Sequence, residues 1–201
     1  YVMACVAMGV FLATIDGSIV NVALPTLQRE LGANFALIEW VVLAYLLTIV
    51  TLVLSVGRLA DIVGKKPLFL AGFVIFTIGS FLCGISTSVE MLIAMRIFQG
   101  LGAVLIMGLG AGIVTEAFPP EERGKAMGVI GSSVSLGIVV GPVLGGLILG
   151  SFSWHWIFIV NVALGIISIW MAQKFLIHAP RKQPQKFHTA GAVFLFFGLL
   201  F

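Results

Sequence analysis

The chain has 201 residues, of which 60% are hydrophobic and 9% are Asp, Glu, Lys or Arg, and its formal net charge is +3 at pH 7. Positions 126–173 form a run of 48 residues without one of these charged side chains. About 20 apolar residues span a bilayer, so the run is long enough for two crossings, and the composition excludes a soluble domain.

The other charge-free stretches complete a predicted set of six membrane helices. The bilayer interior offers no water to unpaired backbone amides, so we expect helices; a β-barrel would show alternating strands of roughly ten residues. The predicted helices span residues 1–26, 36–57, 67–87, 90–115, 121–149 and 156–177. The predicted fold class is all-α and polytopic, with a six-helix domain at 1–177, a linker at 178–188 and a truncated seventh helix at 189–201. Because the chain starts and stops inside apolar segments, we expect it to be part of a longer protein.

Helix 1 carries an acid at membrane depth, in the sequence TIDGSIVNVALP at 14–25. A buried carboxylate is expensive there, so Asp16 is a candidate proton or cation site; a packing role is the alternative. Thr14, Ser18 and Asn21 share a second stripe, about 160° round the helix from Asp16, and are candidates to line a cavity. A helix that is polar on two sides belongs at the centre of a bundle.

The turn between helices 2 and 3 reads GRLADIVGKK and is followed by Pro67. Glycines let the backbone bend or approach a neighbour, and lysines anchor at anionic headgroups. Asp61 is an acid among basic residues, placed to pair across the helix ends; a basic turn that only sets topology is the alternative. The candidate residues of this segment are Gly57, Asp61, Gly64, Lys65 and Lys66.

Helix 4 contains an arginine several residues inside the membrane, in the sequence RIFQGLGAV, which begins at Arg96. On insertion scales such a charge costs about 2.5–3.5 kcal/mol, so it normally faces a partner or a cavity. Gln99, Gly100 and Ala103 follow on the same face of the helix. Arg96 is therefore a candidate functional residue, and Gln99 is a candidate to line a cavity together with the stripe of helix 1. Snorkelling to the nearer headgroups is the alternative, because Glu90 is only six positions away.

Helix 5 carries glycines at every fourth position from 137 to 145. They give a smooth face for close helix packing, while a proline among them removes one backbone donor and bends the helix. Generic packing is the alternative for the glycine face alone, and the complete string is more specific. Its members are Gly137, Gly141, Pro142, Gly145 and Gly146.

The basic residues are concentrated in alternate loops. Nine of them lie in the segments 58–66, 116–125 and 174–188, whereas the opposite loops contain only Arg29. The positive-inside rule then predicts that these three segments face the cytoplasm and that the first helix enters from that side. Nucleic-acid binding is not needed to explain the basic composition, and no nucleic-acid partner is expected.

The sequence contains no hydrolytic or metal-binding pattern. The three histidines fall in predicted loops, and neither a phosphate-binding Gly-rich loop with its Lys-Ser/Thr pair nor an HExxH pair is present. The two cysteines lie in different apolar segments, where we expect buried small hydrophobes. Enzymes are disfavoured, and we expect neither a metal nor a cofactor.

Four of these segments resemble motifs of the major facilitator superfamily. The turn at 57–66 resembles Gly-x-Leu-Ala-Asp-Arg-x-Gly-Arg-Lys, with Ile62 in place of the usual Arg, and the helix 4 segment resembles Arg-x-x-Gln-Gly. The glycine string of helix 5 resembles the antiporter motif of the family's exporters. The helix 1 segment is similar to a motif of the 14-helix drug:proton antiporters, with Ser18 in place of Thr. The string WHWIFIVNV at 154–162 and the short linker also look like this branch.

The resemblance implies the N-terminal half of a secondary active transporter that exports small, lipophilic or cationic molecules in exchange for protons by alternating access. It implies proton coupling by Asp16 and Arg96, a conformational lock at Asp61, and two inverted repeats of three helices. The implied partners are the small-molecule substrate, protons, membrane lipids and the C-terminal half of the same transporter, in the cell membrane. A proton-coupled uptake symporter or facilitator is the first alternative, and a membrane channel or scaffold is the second.

Overall fold

The computed structural model describes residues 1–176, and these form six helices. They are α1 (Val2–Leu31), α2 (Phe35–Val63), α3 (Lys65–Gly84), α4 (Val89–Ala117), α5 (Pro120–Ser151) and α6 (Trp156–Phe175). Each helix is long and apolar enough to cross a membrane, and no strand occurs among residues 1–176. The prediction of an all-α, polytopic fold is confirmed. The predicted linker at 178–188 and the start of helix 7 at 189–201 lie outside the described residues.

Several helices run past their predicted ends. α1 continues through Pro25 and ends at Gly32, whose left-handed backbone (φ 62°) residues with a Cβ rarely adopt. α2 continues through most of the predicted turn at 57–66 as far as Val63, because one internal glycine costs a helix only about 1 kcal/mol. Gly64 alone, with φ 100°, turns the chain into α3. The predicted turn is therefore the end of a helix joined to the next helix by one glycine.

Side-chain caps begin two of the helices. The side-chain oxygen of Asn34 accepts a hydrogen bond from the backbone N–H of Leu37 at 2.8 Å at the start of α2. The hydroxyl of Ser88 accepts one from the N–H of Met91 at 3.2 Å at the start of α4. Each cap satisfies a backbone donor that has no partner within its own helix. Both caps are at the N-terminal ends of their helices, and these ends are predicted to lie outside the cell.

The six helices pack as two interleaved groups of three. α1 packs against α5 and α4 packs against α2, so the first helix of each group lies against the second helix of the other. The third helices, α3 and α6, pack together. This exchange of partners is the arrangement expected of two inverted repeats of three helices.

Glycines allow α3 and α4 to approach closely. A Cβ built at Gly102 on α4 would overlap the backbone of Phe76, and one built at Gly79 on α3 would lie 2.7 Å from Cα of Gln99. Neither position has room for a side chain. Because of these contacts, Gln99 lies directly against α3.

Two buried apolar clusters fill the domain, one above the other along the helix axes. On α4, for example, Ala103 belongs to the first cluster and Leu92 to the second. Arg96 and Gln99 lie between these two residues in the chain and are fully buried. Asp16 is likewise flanked on α1 by Ala13 of the first cluster and Ile19 of the second. The domain therefore contains a polar layer between two apolar cores.

Candidate functional site

Five buried polar side chains from four helices meet in this layer, and we call them the polar network. Each is at most 1% exposed. Three of them are uncharged, and the other two carry opposite charges. Ionisable groups at membrane depth are costly unless they have partners, and the network supplies partners to both charges. Its members are Asp16 on α1, Ser80 on α3, Arg96 and Gln99 on α4, and Asn161 on α6.

The centre of the polar network is an ion pair between Arg96 and Asp16. Nη1 of Arg96 donates to Oδ2 of Asp16 at 2.5 Å, and both side chains are fully buried. Nη1 also donates to Oε1 of Gln99 at 2.6 Å, and Nε donates to the carbonyl oxygen of Val41 at 2.9 Å. The ring of Tyr45 covers one face of the guanidinium, with its centroid 4.1 Å from Cζ. Within the described residues, Nη2 has no hydrogen-bond partner.

Gln99 joins the two charges and fixes the orientation of its own amide. Its Nε2 donates to Oδ1 of Asp16 at 2.8 Å and to the hydroxyl of Ser80 at 2.7 Å. Its Oε1 accepts from Arg96. Exchanging the amide oxygen and nitrogen would place an acceptor against a carboxylate and a donor against a guanidinium, so one orientation alone satisfies both neighbours.

Asn161 brings a third donor to the carboxylate. Its Nδ2 donates to Oδ1 of Asp16 at 2.8 Å, and the fully buried Phe158 lies one turn before it on α6. Together with Arg96 and Gln99, this makes three side chains that donate to Asp16. Donors to a carboxylate form charge-assisted hydrogen bonds, which are about twice as strong as bonds between neutral groups.

The polar network therefore depends on the charge of one carboxylate. With Asp16 ionised, the charges of Asp16 and Arg96 balance and every donor to Asp16 meets an anion. A proton on Asp16 removes the counter-ion of Arg96 and weakens each bond to the carboxyl group. In residues 1–176, no three His, Cys, Asp or Glu side chains come close enough together to hold a metal ion. The charge of Asp16 thus determines how strongly α1 is bonded to α4 and α6.

The second predicted stripe of α1 faces α5. Thr14 and Ser18 are half-buried there, and the hydroxyl of Ser18 donates to the carbonyl oxygen of Gly137 at 2.8 Å. Asn21 is exposed. Gln99, predicted alongside them to line a cavity, is instead buried in the polar network, because it shares a helix face with Arg96.

The glycine face of α5 packs against α1, the helix that carries Asp16. A Cβ built at Gly141 would overlap the hydroxyl of Ser18, and one built at Gly145 would lie 3.1 Å from Cγ1 of Ile19. Gly137 has a similarly close neighbour, with 2.9 Å from its built Cβ to Cβ of Thr14. The remaining members of the string, Pro142 and Gly146, are exposed.

The predicted conformational-switch segment meets the end of α4. Nζ of Lys65 donates to Oε1 of Glu116 at 2.5 Å and to the carbonyl oxygen of Gly112 at 3.3 Å. A cation is favourable at the C-terminal end of a helix, although a pair this exposed contributes only about 0–1 kcal/mol. Gly64 forms the turn, whereas the other members of the segment are exposed (Gly57, Asp61) or half-buried (Lys66).

Three residues of the site were not predicted from the sequence. Asn161 has a signal, because it is the single amide in the apolar run 156–172. Ser80 and Tyr45 have none, since serines and tyrosines are ordinary in membrane helices and their contacts with Gln99 and Arg96 are formed only by the folded chain.

The chain is similar to known transport proteins over most of its length. Residues 6–200 match the profile of the Major Facilitator Superfamily. The riboflavin transporter RibZ of Clostridioides difficile is 47% identical over 175 residues, which are 87% of this chain and 38% of that protein. Multidrug resistance protein 3 of Bacillus subtilis is 34% identical over 195 residues, 97% of this chain and 38% of that protein. The chain thus spans about two fifths of the length of these relatives.

Solved structures share the fold. The human organic anion transporter MFSD10 (TETRAN) superposes with a TM-score of 0.78 over 96% of this chain and 52% of that one, at 18% identity. A bacterial homologue of the human lysosomal transporter Spinster, in an inward-facing and unoccupied conformation, gives a TM-score of 0.77 over 93% of this chain and 45% of that one, also at 18% identity. At such low identity the likeness concerns the arrangement of the helices alone.

Proposed function

The chain belongs to the Major Facilitator Superfamily, and on that premise we propose that it is the N-terminal half of a transporter that exports small molecules in exchange for protons. The family consists of transporters rather than enzymes, and the chain is a multi-pass protein of the cell membrane. Two relatives are named as multidrug resistance proteins, which supports drugs as substrates. We propose lipophilic or cationic drugs because the sequence resembles the drug:proton antiporter branch.

One observation carries the proposal: the fully buried ion pair between Asp16 and Arg96. A carboxylate without exposure to water, in an apolar bundle, exchanges a proton only when the protein opens a path to it. In the proposed cycle Asp16 takes up a proton from the outside and releases it to the inside. The strength of its bonds to α4 and α6 differs between the two charge states, so the proton shifts the balance between two conformations.

The direction of transport is supported by α5. Its glycine string resembles the motif of the family's exporters and lies against the helix that carries Asp16. We therefore favour export over a proton-coupled uptake symporter. A channel or scaffold is disfavoured, because neither explains why Asp16 and Arg96 are buried and paired within the bundle.

A second candidate concerns the substrate. The relative that is 47% identical is named a riboflavin transporter, which favours a flavin over a broad set of drugs. Riboflavin is neutral and polar, whereas ethidium is a lipophilic cation, so the two compounds separate the candidates. Both are fluorescent and serve directly as probes.

The proposal is tested with the full-length protein in sealed vesicles under an imposed pH gradient. We expect the gradient to drive movement of ethidium, or of riboflavin if the second candidate holds, against its concentration gradient. Asp16→Asn should abolish the dependence on the gradient while the protein still inserts, because the amide has the same size but cannot titrate. Glu39→Gln, which neutralises an exposed acid on α2, is the matched control and should transport normally.

Retention of gradient-driven transport by Asp16→Asn would remove this residue from the mechanism. Gradient-driven movement of the probe in the same direction as the protons would replace the exporter with the uptake symporter.

A further inference from the structure

We propose that Asn161 is a positioning residue through which the charge of Asp16 controls the attachment of α6 to α1. This inference rests on the proposed function, since it concerns the same carboxylate. Asn161 is uncharged and lies on α6, the third helix of the second group. Its contact joins residues 145 positions apart in the chain.

The hydrogen bonds of Asn161 distinguish it from the other two donors. Arg96 and Gln99 each have a second strong partner on another helix, namely the carbonyl oxygen of Val41 and the hydroxyl of Ser80. Nδ2 of Asn161 contacts Oδ1 of Asp16 at 2.8 Å, and its other contact is a long one of 3.4 Å to the carbonyl of Ile157 in its own helix. The amide group of Asn161 is thus oriented chiefly by the carboxylate.

The remaining contacts of α6 are of another kind. A Cβ built at Gly165 would overlap the hydroxyl of Thr77 on α3, and one built at Gly84 on α3 would lie 2.6 Å from Cδ1 of Ile159. These are close van der Waals contacts, and the charge of Asp16 does not alter them. α6 is therefore attached to α3 by shape, whereas its attachment to α1 combines apolar contacts, such as the stacking of Phe175 on Tyr1, with one bond whose strength follows that charge.

Titratable groups face Asp16 from two further helices besides Arg96 on α4. The ring of Tyr45 on α2 stacks on the guanidinium, and the thiol of Cys83 on α3 lies 3.7 Å from Oε1 of Gln99. α6 contributes only the neutral amide of Asn161. Replacing that amide consequently leaves the formal charge of the site unchanged and removes one donor to the carboxylate.

Protonation of Asp16 converts a charge-assisted hydrogen bond into a weaker neutral one. The polar part of the α1–α6 contact then weakens, while the apolar contacts of α6 with α1 and α3 remain. Loss of the Asn161 donor should have the converse effect on the proton: the ionised form loses one of its three stabilising donors, so Asp16 should hold its proton to higher pH.

The test is an infrared pH titration of the full-length protein in lipid, in which the carboxyl band of protonated Asp16 is identified by its absence in Asp16→Asn. In Asn161→Leu, which keeps the approximate volume and removes the donor, the band should persist to a pH about one to two units higher than in the wild type, as expected for the loss of a hydrogen bond to a charged group. The optimum of gradient-driven ethidium or riboflavin transport should shift in the same direction.

Ser168→Ala is the matched control. Ser168 is also buried on α6, but its hydroxyl donates to the carbonyl oxygen of Leu164 in its own helix, so its removal should leave the titration unchanged. If Asn161→Leu does not accumulate in the membrane, Asn161→Ala carries the same expectation. An unchanged or lowered midpoint in a folded Asn161 variant would overturn the proposal.

The infrared and transport results together distinguish a failure of this inference from a failure of the proposed function. If the band shifts in Asn161→Leu but transport by the wild type does not depend on the pH gradient, the role of Asn161 stands and proton exchange is removed. If the band does not shift in Asn161→Leu and transport by the wild type depends on the pH gradient, proton exchange stands and the role of Asn161 is overturned.

Discussion

Asp16 and Arg96 compensate each other in surroundings that penalise either charge alone. Replacing a buried ion pair by apolar residues is often neutral or stabilising, whereas removing one partner typically destabilises by about 3–5 kcal/mol. The presence of the pair is therefore weak evidence that it stabilises the fold and stronger evidence that it serves the function. In the proposed mechanism, what the polar network adds over an apolar core is a response to one proton.

This asymmetry predicts the result of a double-mutant cycle. Arg96→Leu should destabilise the domain by about 3–5 kcal/mol, because it leaves a buried carboxylate without its counter-ion. Asp16→Asn should lower stability as well, because the guanidinium keeps Val41, Gln99 and the ring of Tyr45 but loses its counter-ion. The combined variant should lose less stability than the sum of the two single losses. It should not couple transport to a pH gradient.

The measurement is thermal unfolding of the full-length protein in detergent. Arg29→Leu, which removes an exposed arginine from the last turn of α1, provides the control and should change the midpoint little. Strictly additive losses would show that the ion pair contributes nothing as a pair.

The sequence indicates the charged members of the polar network but not the neutral ones. Asp16 and Arg96 stand out because a charge at membrane depth is costly, and Gln99 follows from its spacing to Arg96. Nothing local connects Asn161 with Asp16, since their contact depends on how α6 folds back beside α1. The prediction that Gln99 lines a cavity fails for the same reason. Sequence spacing identifies the helix face that carries Gln99 but not the neighbouring helix that covers it.

At the scale of the helices, α1 joins the two features that matter most for the proposed mechanism. One side of it carries Asp16 into the polar network, and the opposite side contacts the glycine face of α5. A shift of α1 therefore alters both contacts at once. The periodicity of the glycines predicts a close neighbour, whereas only the folded structure identifies that neighbour as α1.

The contact between α1 and α5 can be tested with a suppressor. In Gly141→Ala the added methyl would overlap the hydroxyl of Ser18 and lie 2.9 Å from its Cβ, and overpacking of this kind typically costs about 1–3 kcal/mol. We expect an inserted protein with reduced gradient-driven transport or a proton leak. Ser18→Gly in the same chain removes both opposing atoms and should restore part of the activity, as measured in the vesicle assay.

Gly150→Ala, at a position of α5 with no atom within 4 Å of a built Cβ, is the control for an added methyl group on this helix. Gly141→Leu should be more severe than Gly141→Ala. Wild-type transport by Gly141→Leu would contradict the close-packed face and weaken the case for export.

At the scale of the whole molecule, the ends of the helices agree with one orientation. Lys65 at the start of α3 pairs with Glu116 at the end of α4, and Tyr1 stacks on Phe175 with ring centroids 4.7 Å apart. The start of α1, the α2–α3 turn and the ends of α4 and α6 thus share one face of the domain. Among the described residues, the basic side chains at this face are Arg58, Lys65, Lys66, Arg123, Lys125 and Lys174.

Hydropathy and charge together predict the number of helices and which loops share a side, because the bilayer imposes both. They do not predict the helix ends as well. Four of the helices have 29 to 32 residues and are about 45 Å long, so they extend past a hydrocarbon core of about 30 Å. Polar residues in those extensions, such as Arg58 and Asp61, resemble a loop in the sequence although they are helical.

The orientation itself is a prediction, which thiol labelling in intact cells can test. The two native cysteines, Cys5 and Cys83, are buried and are first replaced by alanine. A cysteine at Thr87, exposed between α3 and α4, should react with a membrane-impermeant maleimide, because that loop is predicted to lie outside. A cysteine at Glu121, exposed at the start of α5, should be protected in intact cells and should react once the membrane is opened, which controls for intrinsic reactivity. Labelling of position 121 from the outside would invert the orientation and, with it, the direction in which Asp16 is proposed to carry its proton.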